Sequence, residues 1–276
     1  CRARTPVRAG RREICSEGSL MLVDLHVHTN RYSACGRSTP DEMAATAAAL
    51  GYDAIVLTEH HAVWSAEDAA ALERRYPGLR VFRGVEVTSS AGDDYLLYGG
   101  DLNGRPYEAG ADERAIVERA RAQGSVVVLA HPYRYRDAAP AIVEEGLVDG
   151  VEVLSNNILV VNQGRASDLA ARAGAFATAA TDAHHVDTLG LYGIRLQEGV
   201  ADEEGLADAL RRRAFELYVD AERVAASNAE VAKHVSEARD LIAQGYDDRT
   251  IRERVPGMHN IVIQGLRRGV DVRRAT

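Results

Sequence analysis

The chain has 276 residues, 46% hydrophobic and 27% charged, the composition of an ordinary globular protein of one large domain or two small ones. It has no run of eighteen apolar residues, which excludes a transmembrane helix, and its three cysteines, Cys1, Cys15 and Cys35, are too few and too scattered for a disulfide framework, so a reducing, cytoplasmic setting is expected. The net charge of −8 is uneven: residues 1–20 carry five arginines against two glutamates, residues 231–276 nine basic against six acidic groups, and the body between them sums to −14, which argues against broad coating of nucleic acid.

Residues 1–20 show neither helical nor strand periodicity and no apolar segment of a secretory signal; they read as a disordered leader, with Met21 a candidate true start. From Met21 short apolar runs alternate with amphipathic stretches. MLVDL (21–25) is the first strand, and Thr39 as N-cap with Pro40 opens a helix through DEMAATAAAL that Gly51 stops. DAIVLT (53–58) follows, then a helix opened by Ser65, then strands LRVFRGVEV (79–87) and DYLLYG (94–99). Asp112 opens a helix that ends before Gly124; SVVVLA (125–130) and GVEVL (150–154) precede a helix near 162–173 closed by Gly174. AFATAAT (175–181) and the less clear LYGIRL (191–196) and FELYV (215–219) complete the set. This alternation predicts parallel strands with crossover helices, and so an α/β protein with a barrel of the β/α kind over 21–220 whose active residues lie at the C-terminal strand ends.

Beyond Asp220 the pattern is helical without strands. The segment LIAQGYDDRTIRERVPGMHNIVIQGLRRG is helix-turn-helix-like, with Leu241, Ile242, Ile251, Val255, Ile261, Val262 and Leu266 as its small core. A helix entering a DNA major groove would use Asn260, Gln264, Arg267 and Arg268; the competing reading of 221–276 is a helical appendage packed on the barrel or on a partner subunit. His234 and His259, in this tail, are not expected to be ligands.

Of nine histidines, seven lie in four short segments at the ends of predicted strands: Asp24-Leu25-His26-Val27-His28, Thr58-Glu59-His60-His61, Ala130-His131-Pro132 and Thr181-Asp182-Ala183-His184-His185. Glu86 ends another strand. Because successive residues of a strand alternate, His26 with His28, and Asp182 with His184, each offer two ligand atoms on one side. Imidazoles mixed with carboxylates suit Zn, Mn, Fe or Co better than calcium, which takes oxygen ligands.

The motifs DLHVHT, EHH, GVEVTS, AHPYR and TDAHH, in this order from Met21 to about Asp220, resemble the PHP (polymerase and histidinol phosphatase) domain family. The resemblance implies a distorted (β/α)7 TIM-like barrel with two to three divalent metal ions (Zn, Mn or Fe). It implies a first ion on His26, His28, Glu86 and Asp182, a second bridged by Glu86 and held by His131, and a third on His60 and His184. The chain departs from the family pattern in three places. Glu59 stands where an Asp is usual and is expected to orient His60; Asp94 is the candidate substitute for a missing histidine, against a solvated turn; Cys35 is a candidate third-site thiolate, against a loop thiol with packing duties only.

Adjacent cations acidify a water and neutralise phosphate oxygens during in-line attack, so the expected activity is phosphoester hydrolysis without a covalent enzyme intermediate. Glu86, Asp182, His184 and Arg134 are expected to carry the reaction, Arg134 as a bidentate clamp on a non-bridging oxygen, with Arg31 and Arg165 weaker candidates for the same grip. The expected partner is a small phosphorylated metabolite or short nucleotide, with histidinol-phosphatase-like, 3′,5′-nucleoside bisphosphate phosphatase and 5′-3′ exonuclease activities all implied by the resemblance. No membrane partner is expected. No glycine-rich nucleotide fingerprint or serine elbow occurs. The alternative is a regulatory or DNA-binding protein that uses the barrel as a metal-stabilised scaffold for its tail.

Overall fold

A computed structural model describes residues 20–102 and 107–276; the leader expected over 1–20 lies outside the described residues except for Leu20. The barrel half runs β1 (Met21–Val27), α1 (Pro40–Leu50), β2 (Ala54–Leu57), α2 (Ala66–Arg75), β3 (Arg80–Thr88), β4 (Asp94–Tyr98), α3 (Glu113–Ala122), β5 (Val126–Leu129), α4 (Ala141–Glu144), β6 (Gly150–Leu154), α5 (Val160–Ala173) and β7 (Phe176–Ala179). Then come β8 (Tyr192–Leu196), α6 (Glu203–Arg211), β9 (Phe215–Val219) and three helices, α7 (Ala221–Ala243), α8 (Asp248–Arg254) and α9 (Asn260–Arg268). The first helix shows how local chemistry sets these boundaries. Thr39 accepts from the Glu42 amide, the Glu42 carboxylate accepts from the Thr39 amide at 2.7 Å, and Gly51 closes the helix at φ 84°. Such a cap contributes about 1 kcal/mol.

The nine strands form one sheet in the order β7-β6-β5-β4-β3-β2-β1-β8-β9. It curls into a barrel: past β7 the chain meets β1 through a parallel bridge of Val27 with Ala183, where the His28 amide donates to the Ala183 carbonyl at 2.9 Å. At its other end β1 instead pairs with β8, antiparallel, over Met21–Val23. The barrel therefore closes at the end where the parallel strands finish and is spread by β8 at the end where they start.

The expectation of parallel strands throughout is corrected at β8, antiparallel to both β1 and β9, and at β4, which runs antiparallel to both β3 and β5. Only residues 89–93 separate β3 from β4, too few for a crossover helix, so the chain turns straight back. The reversal has a consequence for the site: the first residue of β4, Asp94, reaches the same barrel end as the last residues of its neighbours, opposite Thr88.

Alternation sorts the strand side chains into an inner cluster, with Val23, Val56, Phe82, Leu96 and Val128, and outer clusters under the helices, with Ile55, Leu57 and Val81 on one side and Val85, Leu97, Val127 and Val151 on another. Leu206, Ala207, Ala209 and Leu210 of α6 join the inner cluster. The tail has its own cluster, in which Ile251, Val255, Met258, Ile261, Val262 and Leu266 pack with Val231 and Ala238 of α7 and with Leu159 just before α5. It is tied to the barrel by main chain as well: the Val160 amide donates to the Arg273 carbonyl at 2.7 Å, and the Tyr192 hydroxyl to the Ala275 carbonyl at 2.7 Å.

Candidate metal centre

At the closed end of the barrel the alternation of β1 is interrupted. Val27 packs with Leu22 in an outer cluster although Leu25 is inner, because the register slips between Asp24 and Val27. A bulge of this kind re-aims side chains. His26 and His28 both end up fully buried with their Nε2 atoms 2.9 Å apart. Glu86 lies on the inner face of β3 in phase with Phe82, and Asp94 on the inner face of β4 in phase with Leu96 and Tyr98. His131 and Asp182 follow β5 and β7 in left-handed backbone, φ 22° and 50°, a conformation costly for non-glycine residues and concentrated at functional sites.

All eight expected ligands meet here. Their donor atoms form four overlapping groups that could hold a cation: His26, His28 and Glu86; His26, His131 and Asp182; Glu86, Asp94 and His131; and His28, His60 and His184. Glu86 Oε2 is 3.2 Å from His28 Nε2 and 3.1 Å from His60 Nδ1, while its Oε1 is 3.1 Å from His131 Nε2. Asp182 Oδ1 lies 3.3 Å from the Nε2 atoms of both His26 and His28. Asp94 is buried, with Oδ2 3.8 Å from His131 Nε2, so the alternative of a solvated turn does not hold.

The electrostatics follow from charge crowded where water cannot reach. Burial pushes the Glu86 and Asp182 carboxyls up, but the surrounding imidazoles, His26 above all, outweigh it and hold both well below the carboxylate range. Burial lowers His28, yet Asp182 and Glu86 overcome it and raise it to about 9. His184 is held down at about 3, by burial first and by His28 second. Its Nδ1 is 3.1 Å from the Asp182 carbonyl, so the neutral ring donates there and keeps its Nε2 lone pair for the group it forms with His28 and His60. Three carboxylate oxygens, Glu86 Oε2, Asp94 Oδ1 and Asp182 Oδ1, are buried without a well-aligned hydrogen bond, although imidazole nitrogens crowd two of them. The donor set and these oxygens fit divalent cations, which supply the partner a buried carboxylate needs.

Several supporting residues were not legible beforehand. Glu152, fully buried on β6, sits 3.2 Å from His26 Nδ1 and accepts the His131 amide at 2.9 Å, so one carboxylate orients two ligands. Its signal was a glutamate at an inner position of the apolar run GVEVL. Asn157 donates to Asp182 Oδ2. Asp24 accepts from the Thr181 amide at 3.0 Å and hydroxyl at 2.6 Å, fastening β1 to the end of β7, and burial pushes its carboxyl up to about 7.

Two expectations are corrected. Glu59 does not contact His60; it accepts from the Thr29 amide and hydroxyl, from Ser33 Oγ at 2.5 Å and from Trp64 Nε1 at 3.1 Å. Ser33 in turn contacts His28 Nδ1 at 3.2 Å and accepts the His60 amide at 3.1 Å, so the longer acidic side chain acts through Ser33 on His28 and on the His60 backbone. Cys35 is exposed and joins none of the cation groups among the described residues. The loop bearing it is held close: a Cβ on Gly36 would collide with the Thr29 carbonyl.

Arg134 is placed as a clamp would be, with Nη1 3.3 Å from His131 Nε2 and 3.8 Å from Asp182 Oδ2. Arg31 and Arg165 are turned away, paired with Asp68 at 2.8 Å and Asp137 at 3.3 Å. In the tail, Arg267 pairs with Asp248 at 2.8 Å, and the exposed Asn260 borders a cavity at the barrel mouth.

The family model of the PHP domain matches residues 24–233. Among solved structures the chain is similar to PsfC from Pseudomonas syringae PB-5123, with a TM-score of 0.58 and 16% identity over 74% of this chain and 93% of that one. It is also similar to a two-domain protein from Bacteroides vulgatus ATCC 8482 containing a predicted PHP-like metal-dependent phosphoesterase, with a TM-score of 0.54 and 18% identity over 78% of this chain and 70% of that one. Among curated proteins none matches. Structural likeness at such identities speaks for the fold.

Proposed function

Since this chain belongs to the PHP domain family, we propose that it is a cytoplasmic metal-dependent phosphoesterase acting on a small phosphorylated metabolite or nucleotide. The observation that carries this reading is the crowding of three buried carboxylate oxygens on Glu86, Asp94 and Asp182, none with a well-aligned hydrogen bond, among His26, His28, His60, His131 and His184. One cation would be held by His26, His28, Glu86 and Asp182, a second by Glu86, Asp94 and His131, and a third by His60 and His184 beside His28. When bound, Zn, Mn or Fe ions in such a cluster acidify a water and offset the charge of phosphate oxygens.

The chain's own groups do the rest. Glu152 and Ser33 fix the rings of His26 and His28, so the ligand set is pre-organised. Arg134, buried beside His131 and still charged, grips a non-bridging oxygen with a planar fork. The body charge of −14 does not repel the substrate at this point, because the cations and Arg134 set the local sign. The alternative of DNA reading by the tail is less favoured because Asn260 borders the cavity and Arg267 pairs with Asp248. Elemental analysis of gently purified protein, joined to a phosphoester panel with and without chelator, tests the reading. Two or more metal equivalents with chelator-sensitive phosphate release are expected; a fully metal-loaded protein inert on phosphomonoesters, bisphosphates and oligonucleotides would overturn it.

A further inference from the structure

Beside the metal centre lies a cavity of about 110 Å³, larger than a water's share of about 30 Å³. Asp182 and His184 form its inner wall; its outer wall brings together Arg37 from the β1–α1 loop and Arg252, His259 and Asn260 from the corner between α8 and α9. We propose that this corner of the tail completes the substrate pocket as a subsite for a second anionic group, so that the substrate is a small phosphoester carrying another compact oxyanion, a phosphate or a carboxylate. The inference rests on the phosphoesterase reading for the first anion and on the following observations for the second.

In an acidic body most exposed arginines are paired, as Arg75 is with Asp41, Arg114 with Glu145 and Arg212 with Glu198. Arg37 and Arg252 have no carboxylate partner among the described residues; Arg252 reaches only the Asp248 carbonyl, at 3.3 Å. Behind them Arg274 is buried at 3% exposure, binds only the neutral acceptors Asn156 O and Ser227 Oγ, and leaves Nη2 unpartnered. Helix α9, nine residues long, begins here after His259 with no side-chain cap, so its first amides are also unfilled donors. The positive field registers on His259, which burial and then Arg274, Arg37, His185 and Arg252 hold down at about 4. Arg274 is buried, Arg252 half-buried and Arg37 exposed at the rim, and the one carboxylate on the cavity wall, Asp182, is engaged with His26 and His28, so an oxyanion in the cavity offsets the cost of gathering these charges. The metal centre takes the scissile phosphate, and the tail measures the far end of the molecule.

The test compares propyl phosphate, 3-phosphooxypropionate and 1,3-propanediol bisphosphate as substrates of the metal-loaded full chain. Wild type should favour a doubly anionic substrate by about tenfold or more in kcat/KM, a ratio worth about 1.4 kcal/mol, and which of the two leads identifies the second oxyanion. The Arg37→Ala/Arg252→Ala variant should lose that preference, Arg252→Lys should keep part of it, and Arg267→Ala, at the C-terminal end of α9 where Arg267 pairs with Asp248 and does not line the cavity, should keep all of it. Calorimetric titration of chelator-stripped protein with pyrophosphate reads the subsite without turnover, and the double variant should bind about tenfold more weakly. Loss of pyrophosphate affinity in a protein that hydrolyses no phosphoester supports the subsite while removing the phosphoesterase reading. A wild type indifferent to the second anion, or a double variant equal to wild type in both preference and pyrophosphate affinity, overturns the subsite.

Discussion

The barrel mouth and the three-helix tail use charge in opposite ways. At the mouth, five imidazoles, three of them buried, and three buried carboxylates bring donor atoms within 4.8 Å of one another in four overlapping groups, with two of the carriers in left-handed backbone. In the tail the core is wholly apolar, and the charged groups are turned outward into pairs such as Arg249 with Glu253 at 2.9 Å and Arg267 with Asp248 at 2.8 Å. A fold optimised for stability alone would look like the tail throughout, because burying and straining polar groups costs about 1–3 kcal/mol each. The mouth bears that cost in one place, which is how a site announces itself in a structure. The corner where the two regions touch belongs to neither pattern: its cations are close together and unpaired.

The comparison is broken most directly at its costliest point. Replacing His26 and His28 together by alanine removes two imidazoles from one group, so bound metal should fall by at least one equivalent per chain and turnover by about 1000-fold or more, about 4 kcal/mol, while circular dichroism stays near wild type. Unchanged metal content would show that the cluster is a structural polar network. Glu86→Gln keeps shape and removes the charge shared between groups, and turnover should again collapse far more than ellipticity changes. A smaller effect separates positioning of substrate from holding of metal. Arg134→Ala should leave metal content intact and cost about 1.5–3 kcal/mol in kcat/KM, with Arg134→Lys recovering part, since a point charge cannot reproduce the fork. Equality of Arg134→Ala with wild type would remove the clamp. Glu152→Gln, which touches no substrate, should weaken metal binding by about 10–100-fold, read by competition with a chromogenic chelator; normal affinity would make Glu152 a packing residue.

The sequence made the barrel mouth legible because its residues are close in sequence as well as in space. H-x-H, E-H-H and D-A-H-H each place ligands on one short strand end, and the nine strands fall on the nine short apolar runs. Antiparallel β4 was missed because direction is set by the length of the link, and the five residues between β3 and β4 carry no periodic signal of their own. Glu152 was missed because a single inward acid in an apolar strand has no partner in its own segment; His26 and His131 reach it from 126 and 21 residues away. The tail's core residues were readable from helical period, but not its contact with the mouth, which depends on Leu159, Arg274 and the α8–α9 corner meeting across more than a hundred residues. Long-range packing of this kind leaves no local pattern to read.

The smallest expected effect probes the corner itself. His259 lies among Arg274, Arg37, His185 and Arg252, and burial together with those charges depresses it from 6.5 to about 4. A histidine whose folded pKa is lowered stabilises the fold in its neutral form, so its contribution is complete above about pH 6.5 and is lost as pH falls from there through 4. Since His259 is half-buried, solvent screens part of the effect, and the loss should appear first as loosening of the tail rather than global unfolding. Limited proteolysis within 221–276 at pH 7, 6, 5 and 4 should show wild type becoming more susceptible than His259→Asn, which cannot take up the proton. Carboxylates that titrate in the same window do so in both proteins and cancel in the comparison. Identical pH profiles would mean that the cations at this corner are already neutralised by solvent, and the contrast between a balanced mouth and an unbalanced corner would lose its energetic basis.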